Sequence, residues 1–254
     1  MHEFGYSLHS LTQNALVADG VHLMRFSALS DSLQAAEPGS YVMLHVPRVG
    51  DVPLSIYDQK EREVLFLVSD YGGPSTSLVK MREGSKVGIR GPLGNRFPFS
   101  PDESYLFVAG GVGAAPLIFF SKKYSAQFKQ PPLFVAGARD SSKMFAPRLL
   151  GGLNVVLLTV TDDGSYGIKG DAASLAEKVV AESEVTAVYA CGPEPMLRKL
   201  LHMCTERRLD FYGSFVRDVR CGFGICGSCV MEDTGLLLCV DGPIFSKNDL
   251  QPLR

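Results

Sequence analysis

No stretch of this 254-residue chain stays apolar for the roughly 18 residues that a membrane-spanning helix needs, so no membrane contact is expected. No basic run appears either. With a net charge of −2 there is little to attract phosphate backbones, which argues against nucleic acid as a partner. The five histidines are scattered, and no two have the spacing of metal ligands. The first residues, MHEFGYSLHSLTQ, lack the basic start and apolar run of a secretory signal. Repeats and low-complexity tracts are also missing. Together these absences point to the cytoplasm, where disulfides rarely persist. Six cysteines, four of them clustered near the C-terminus, then read as a metal site rather than a disulfide framework.

What is present is enough for two ordinary domains and a small third, with 46% apolar residues to build cores. Residues 1–98 read as β. GSYVMLHVP, PLSIYD, EVLFLVSD and SKVGIRGP are short strand-like runs broken by turn residues, and STSLVKMREG is the one helix among them. A small antiparallel barrel is expected. From Pro101 the pattern changes. YLFVAGG, PLFVAGARD, LNVVLLTVTDDG and TAVYACGP are apolar strands, while APLIFFSKKYSAQF, DAASLAEKVVAES and PEPMLRKLLHMCTERRL read as helices. Alternating strands and helices imply a parallel sheet, covered on both faces, over residues 99–210. Residues 211–254 are too few for a core of their own and need a staple.

Cys221, Cys226, Cys229 and Cys239 supply a candidate. Their spacing, C-x4-C-x2-C followed by a fourth cysteine, is the plant-type pattern for a [2Fe–2S] cluster. Gly222, Gly224 and Gly227 would let backbone N–H groups turn toward the sulfurs, and Ser228 is small enough not to crowd them. Structural zinc also takes four cysteines, but its ribbons usually show two C-x2-C knuckles and this segment has one. Four packed free thiols are the remaining alternative. Cys204, on a helix, reads as core.

GGVGAAP (110–116) runs from a strand into a helix, the place where a pyrophosphate meets backbone and helix N-terminus. A glycine turn there can equally be tight packing. CGPEPM (191–196) ends the strand TAVYA at the same edge of the sheet. In TDDGS (161–165), Asp162 and Asp163 would repel a 2′-phosphate and so favour NAD over NADP, unless the turn is merely acidic. In the barrel, Gly72, Gly73, Ser75 and Thr76 precede the short helix as an anion site suited to a flavin pyrophosphate. Ser55, in VPLSIYD, could bond the edge of an isoalloxazine ring. Either stretch could also be a plain turn with an N-cap.

With PLSI, GPLGNRF, GGVGAAP, CGPEPM and CGFGICGSC…CVDGPIF in this order, the chain resembles the ferredoxin reductase superfamily. More narrowly, it resembles the electron-transfer subunits of dihydroorotate dehydrogenase B. The resemblance covers nearly the whole chain, and the cysteine segment is its most diagnostic part. It implies a multi-domain β plus α/β fold: an FAD-binding barrel, a Rossmann-like NAD-binding domain and a C-terminal [2Fe–2S] segment. It implies that Pro53, Leu54 and Ser55 lie against the FAD ring, with Val68 and Gly73 at the flavin site and Ser75 and Thr76 on its phosphates. Gly111, Gly113, Cys191, Gly192 and Pro193 would border the nicotinamide nucleotide, and the four cysteines would ligate the cluster. It implies an FMN-containing catalytic partner in a heterotetramer of two copies of each subunit, with electrons passing through the cluster and FAD to NAD+ in pyrimidine biosynthesis. Many relatives carry a flavin-contacting arginine just before the Pro-x-Ser stretch. Here Val52 stands there, and Arg90 or Arg96 is the candidate substitute. The small subunit of an NADH-dependent ferredoxin:NADP oxidoreductase or sulfide dehydrogenase has a similar layout. A zinc-stapled binding or regulatory module is the alternative of another class.

Overall fold

A computed structural model describes residues 5–27, 33 and 35–250. Residues 1–4, 28–32, 34 and 251–254, which fall in the ranges assigned above to the barrel and the cysteine segment, lie outside the described residues.

Strands β1 (Ser7–Ala18), β2 (Val21–Ser27), β3 (Tyr41–Val46), β4 (Gly50–Lys60), β5 (Glu63–Ser69) and β6 (Lys86–Leu93) close into an antiparallel barrel in the order β1-β2-β5-β4-β3-β6. The first two strands were not among the expected runs. Their alternation is broken by register shifts between Leu11 and Gln13 and between Leu16 and Ala18, and β1 buries few of its twelve residues. Strand β3 has no exposed side. Val42, Leu44 and Val46 fill the barrel, while Tyr41 and Met43 point outward into the core shared with the cysteine segment. That double burial is why YVMLHV is continuously apolar. Helix α1 (Gly73–Val79) follows β5 and ends earlier than STSLVKMREG suggests.

The second sheet starts with β7 (Tyr105–Gly110), which a 3-10 turn (Gly111–Gly113) joins to α2 (Ala114–Lys123). The chain continues through β8 (Leu133–Ala138), α3 (Ala146–Leu150), β9 (Val156–Thr161) and β10 (Ile168–Lys169). It then runs through α4 (Ala172–Glu182), β11 (Ala187–Cys191), α5 (Glu194–Arg207) and β12 (Asp210–Ser214). After the cysteine loop come α6 (Leu238–Asp241) and β13 (Ile244–Ser246). Strand order is β10-β9-β8-β7-β11-β12-β13, parallel except for β13. Helix α2 covers one face through Phe107, Ala109 and Phe134. Helices α4 and α5 cover the other through Leu106, Val108 and Val135. Helix α2 stops at Lys123 rather than Phe128, because Tyr124 leaves it to stack on Phe99 at 4.1 Å.

Two features position the site. Strands β7 and β11 are neighbours from which the chain winds outward in opposite directions, so a crevice opens beyond their C-terminal ends. The barrel is also pinned to the sheet layer. Lys122 on α2 pairs with the buried Asp58 of β4 at 2.7 Å, and its ammonium lies 3.9 Å from the Tyr57 ring centroid. Among the described residues no helix is long and apolar enough to cross a membrane.

Candidate functional site

The cysteine loop wraps inward. Gly222, Gly224 and Gly227 have φ of +72°, +77° and +72°, a region that suits glycine. The turns bring the Phe223 N–H to Cys221 Sγ (3.4 Å), the Gly224 N–H to Cys239 Sγ (3.3 Å) and the Cys239 N–H to Cys229 Sγ (3.4 Å). The N–H groups of Phe223 and Cys226 favour the Cys221 thiolate and lower its pKa to about 6. Burial, with the neighbouring Cys229 thiol, pushes Cys239 up to about 12. Cys229 and Cys239 are each 2% exposed, while Cys226 faces solvent. Thiols packed together within a ring of N–H donors aimed at sulfur suit a cationic iron core that would hold them as thiolates. Among the described residues no three Cys, His, Asp or Glu side chains converge as ligands of a single ion.

The barrel reaches this loop through its register. Ser55 of β4 lies opposite Tyr41 of β3, which lies opposite Leu93 of β6. Pro53, Met43 and Arg90 form the next row. Residues in register share a face, so the two rows run side by side across β4 and β3, while an irregularity in the β3–β6 pairing sets Leu93 and Arg90 further apart on β6. The middle of one row and the far end of the other grip the cysteine segment. Tyr41 donates its hydroxyl to the Cys239 carbonyl at 3.2 Å, and Arg90 Nη2 donates to the Cys221 carbonyl at 2.7 Å. Asn95 adds bonds to the carbonyls of Asp241 and Ile244 and accepts from the Ile244 N–H.

Period-two alternation divides the residues expected at the flavin ring. Pro53 and Ser55 share the outer face with Met43 and Tyr41, whereas Leu54 and Val52 pack against the barrel core. Val68 is 1% exposed, with its side chain inside the barrel. Arg90 is committed to the cysteine loop, and Arg96 is exposed near Tyr124. At the start of α1, Gly72 and Gly73 have positive φ and open space where a side chain would be. Ser75 is turned into its own loop, accepting from the Tyr71 N–H and donating to the Gly72 carbonyl. Thr76 donates to the Asp70 carboxylate, which also accepts from the Gly72 N–H. These bonds hold Asp70 below the usual carboxylate range. The segment therefore already carries an internal anion, which its sequence did not reveal.

At the crevice the glycines divide by role. A β-carbon on Gly113 would fall 2.4 Å from the Cys191 carbonyl oxygen. One on Gly110 would fall 2.7 Å from Pro193 Cδ, and one on Gly192 would lie 2.9 Å from the Gly110 nitrogen. GGVGAAP and CGPEPM are thus packed backbone on backbone. Gly111 alone has a positive φ (+55°) and open space above it, so it is the glycine that leaves room for a ligand. The Cys191 thiol is kept neutral, pushed up to about 11 by burial. A cleft of about 880 Å³ opens here between barrel and sheet, bordered by Asp70, Gly111, Arg139, Lys143, Asp162 and Pro193, among others. That volume suits a nucleotide-sized ligand. Asp162 faces the cleft, whereas Asp163 caps its own turn by accepting from the Ser165 N–H and hydroxyl. Sequence reasoning missed Lys143, which bonds to Asp19 across the cleft mouth at 2.6 Å, and Tyr41; neither lies in a motif.

Residues 217–251 match a protein family described as the iron-sulfur cluster binding domain of dihydroorotate dehydrogenase B. Across most of its length the chain is similar to proteins named probable dihydroorotate dehydrogenase B (NAD(+)), electron transfer subunit. The Archaeoglobus fulgidus protein is 35% identical, covering 94% of this chain and 97% of the relative. The Pyrococcus furiosus protein is 37% identical, covering 87% and 84%. Among solved structures, a chain of the NADH-dependent reduced ferredoxin-NADP oxidoreductase superposes with a TM-score of 0.86 at 27% identity, covering 96% of this chain and 89% of that one. The Amycolatopsis cytochrome P450 reductase GcoB, at a TM-score of 0.69 and 19% identity over 82% of this chain and 68% of its own, shares the fold. A cysteine loop closed on N–H donors, a ferredoxin-reductase fold beneath it and this likeness along the whole chain agree, and the chain belongs to the family of dihydroorotate dehydrogenase B electron-transfer subunits.

Proposed function

We propose that this chain carries electrons between the FMN of a dihydroorotate-oxidising catalytic partner and NAD+, using a [2Fe–2S] cluster and FAD as carriers, in pyrimidine biosynthesis. A flavin supplies the step between one-electron iron–sulfur chemistry and two-electron nicotinamide chemistry. The observation that carries the reading is the pair of cross-strand rows. Pro53 and Ser55, on the strand proposed to face the flavin, are two strands away from Arg90 and Leu93 at the cysteine loop.

In this reading residues 1–98 form the FAD-binding domain, 99–210 the NAD-binding domain and 211–254 the cluster segment. Cys221, Cys226, Cys229 and Cys239 hold the cluster. Pro53 and Ser55 line the flavin face, Leu54 and Val68 support it from the barrel side, and Gly73, Ser75 and Thr76 shape the turn at its phosphates. Gly111 admits the nicotinamide nucleotide, Gly113 and Gly192 hold its two loops together, and Cys191 and Pro193 border it. Asp162 in the cleft disfavours a 2′-phosphate, which supports NAD. The cluster segment would face the partner. Ile225 and Val216, 82% and 71% exposed, and the exposed Cys226 lie in that segment. A heterotetramer with two copies of each subunit is the expected assembly, in the cytoplasm.

A second reading, the small subunit of an NADH-dependent ferredoxin:NADP oxidoreductase, draws on the 0.86 TM-score with that enzyme. The partner separates the two. The test is a visible spectrum of anaerobically purified chain before and after NADH, followed by the same chain co-purified with candidate partners. Flavin and iron–sulfur bands that bleach with NADH, and dihydroorotate turnover only with an FMN-containing partner, are expected. A colourless zinc protein would overturn the reading, as would dihydroorotate turnover by the isolated chain.

A further inference from the structure

Arg90 is a buried cation. It is 6% exposed, yet no carboxylate among the described residues pairs with it. Nη2 bonds the Cys221 carbonyl. The guanidinium lies 4.1 Å from the Phe223 ring centroid and 5.2 Å from that of Tyr6. Its Nε is buried with no hydrogen-bond partner among the described residues. The Asp51 carboxylate, which accepts from the Tyr6 hydroxyl and bonds His45, makes no ion pair with Arg90. A guanidinium withdrawn from water is costly unless a negative charge compensates it. The segment that Nη2 reaches is the cysteine loop. Four thiolates around two irons and two sulfides give an overall charge of roughly −2, and of roughly −3 after one electron is added.

We propose that Arg90 is a positioning residue that serves as the counter-charge of the iron–sulfur site. It holds the Cys221 turn against the barrel and raises the reduction potential of the cluster. The inference rests on the cluster reading above. The physical cause is simple. Arg90 keeps its charge while the loop gains one negative charge, so the attraction is larger after reduction than before. The carbonyl bond and the stacking on Phe223 fix the charge at the rim of the loop, on a guanidinium that is itself withdrawn from solvent. Close packing supports this, since a β-carbon on Gly222 would lie 3.0 Å from Arg90 Nη2.

The test uses the full chain, purified anaerobically, with iron content and an EPR-monitored redox titration as readouts. R90Q is expected to keep its iron and lower the midpoint potential. At the wild-type midpoint, its reduced-to-oxidised ratio should fall at least about tenfold. R90K, which restores the charge, should recover most of that loss, and R96Q, at an exposed site, should titrate like wild type. An R90Q chain with full iron and an unchanged midpoint overturns the proposal. If R90Q loses its iron, R90K decides: iron and midpoint near wild type support the counter-charge, and loss of iron there too overturns it. A wild-type chain that holds zinc overturns the cluster reading as well, and metal analysis identifies that case before any variant is made.

Discussion

Gly113 and Cys191 meet where the sheet changes direction, so close that a β-carbon on Gly113 would sit 2.4 Å from the Cys191 carbonyl oxygen. The contact joins the first turn after β7 to the last residue of β11, the two strands that flank the crevice. One of the glycines expected to cradle a nucleotide is therefore a spacer that lets the two loops share the crevice wall. Its neighbour Gly111 is the one that faces open space.

Gly113→Ala should therefore destabilise the fold more than Gly111→Ala. The first forces backbone against backbone, at about 3 kcal/mol or more, while the second adds only the strain of a positive φ, about 1–2 kcal/mol. Urea unfolding of the two variants measures the difference. Gly111→Ala should still weaken NADH binding, because its β-carbon points into the open space.

Serine at Cys221, Cys226, Cys229 or Cys239 should abolish the iron–sulfur absorption. Cys204→Ser should keep it. Cys204 is fully buried in α5, and its thiol is pushed up to about 12 by burial. A hydroxyl there should cost about 1–2 kcal/mol of stability. Iron analysis alongside thermal unfolding separates the two outcomes.

Tyr41→Phe removes the hydroxyl that bonds the Cys239 carbonyl from a residue 3% exposed. A loss of about 1 kcal/mol in unfolding is expected. Iron release to a chelator should also be faster, since a barrel-side tie to Cys239, proposed above as a cluster ligand, is gone.

Glu194 ties the cysteine segment to α5. It accepts from Arg217 at 2.7 Å and from Arg198, and those bonds hold it below the usual carboxylate range. A carboxylate lowered in the folded state stabilises fully above its unfolded pKa, and that contribution is lost as pH falls through the lower folded value. Iron release should therefore accelerate in acid, below about pH 4. Glu194→Gln should release iron faster at neutral pH and show a weaker acid dependence.

Asp162→Ser should shift cofactor preference toward NADPH by about tenfold in relative kcat/KM, because it removes a negative charge from the cleft. Asp163→Ser should leave the preference unchanged. Its carboxylate is spent on the Ser165 turn. Steady-state rates of a dye-linked assay with each nucleotide give both ratios.

Much of this protein is legible in one dimension, because some chemistry is set by spacing within a few residues. Four cysteines interleaved with glycines point to a metal loop before any coordinates exist, and the structure accords with the glycine pattern: Gly222, Gly224 and Gly227 take positive φ where N–H groups turn toward sulfur. The alternation of strands and helices after Pro101 likewise announces a parallel sheet. The first two barrel strands were less legible, since bulges and exposure blur the alternation of SLHSLTQNALVA.

The tertiary structure decided which residues serve which site. A residue's face in a barrel depends on register, so only the fold could place Ser55 beside Tyr41, Pro53 beside Met43, and Leu54 and Val68 toward the interior. Only the fold turned Arg90, a candidate flavin partner by sequence, toward Cys221, 131 residues away along the chain. It also set Asp70 into the turn of α1, where the sequence suggested an anion site. Local spacing carries the loops that make their own bonds. Contacts between distant strands depend on how the whole chain closes, and no window of sequence contains that information.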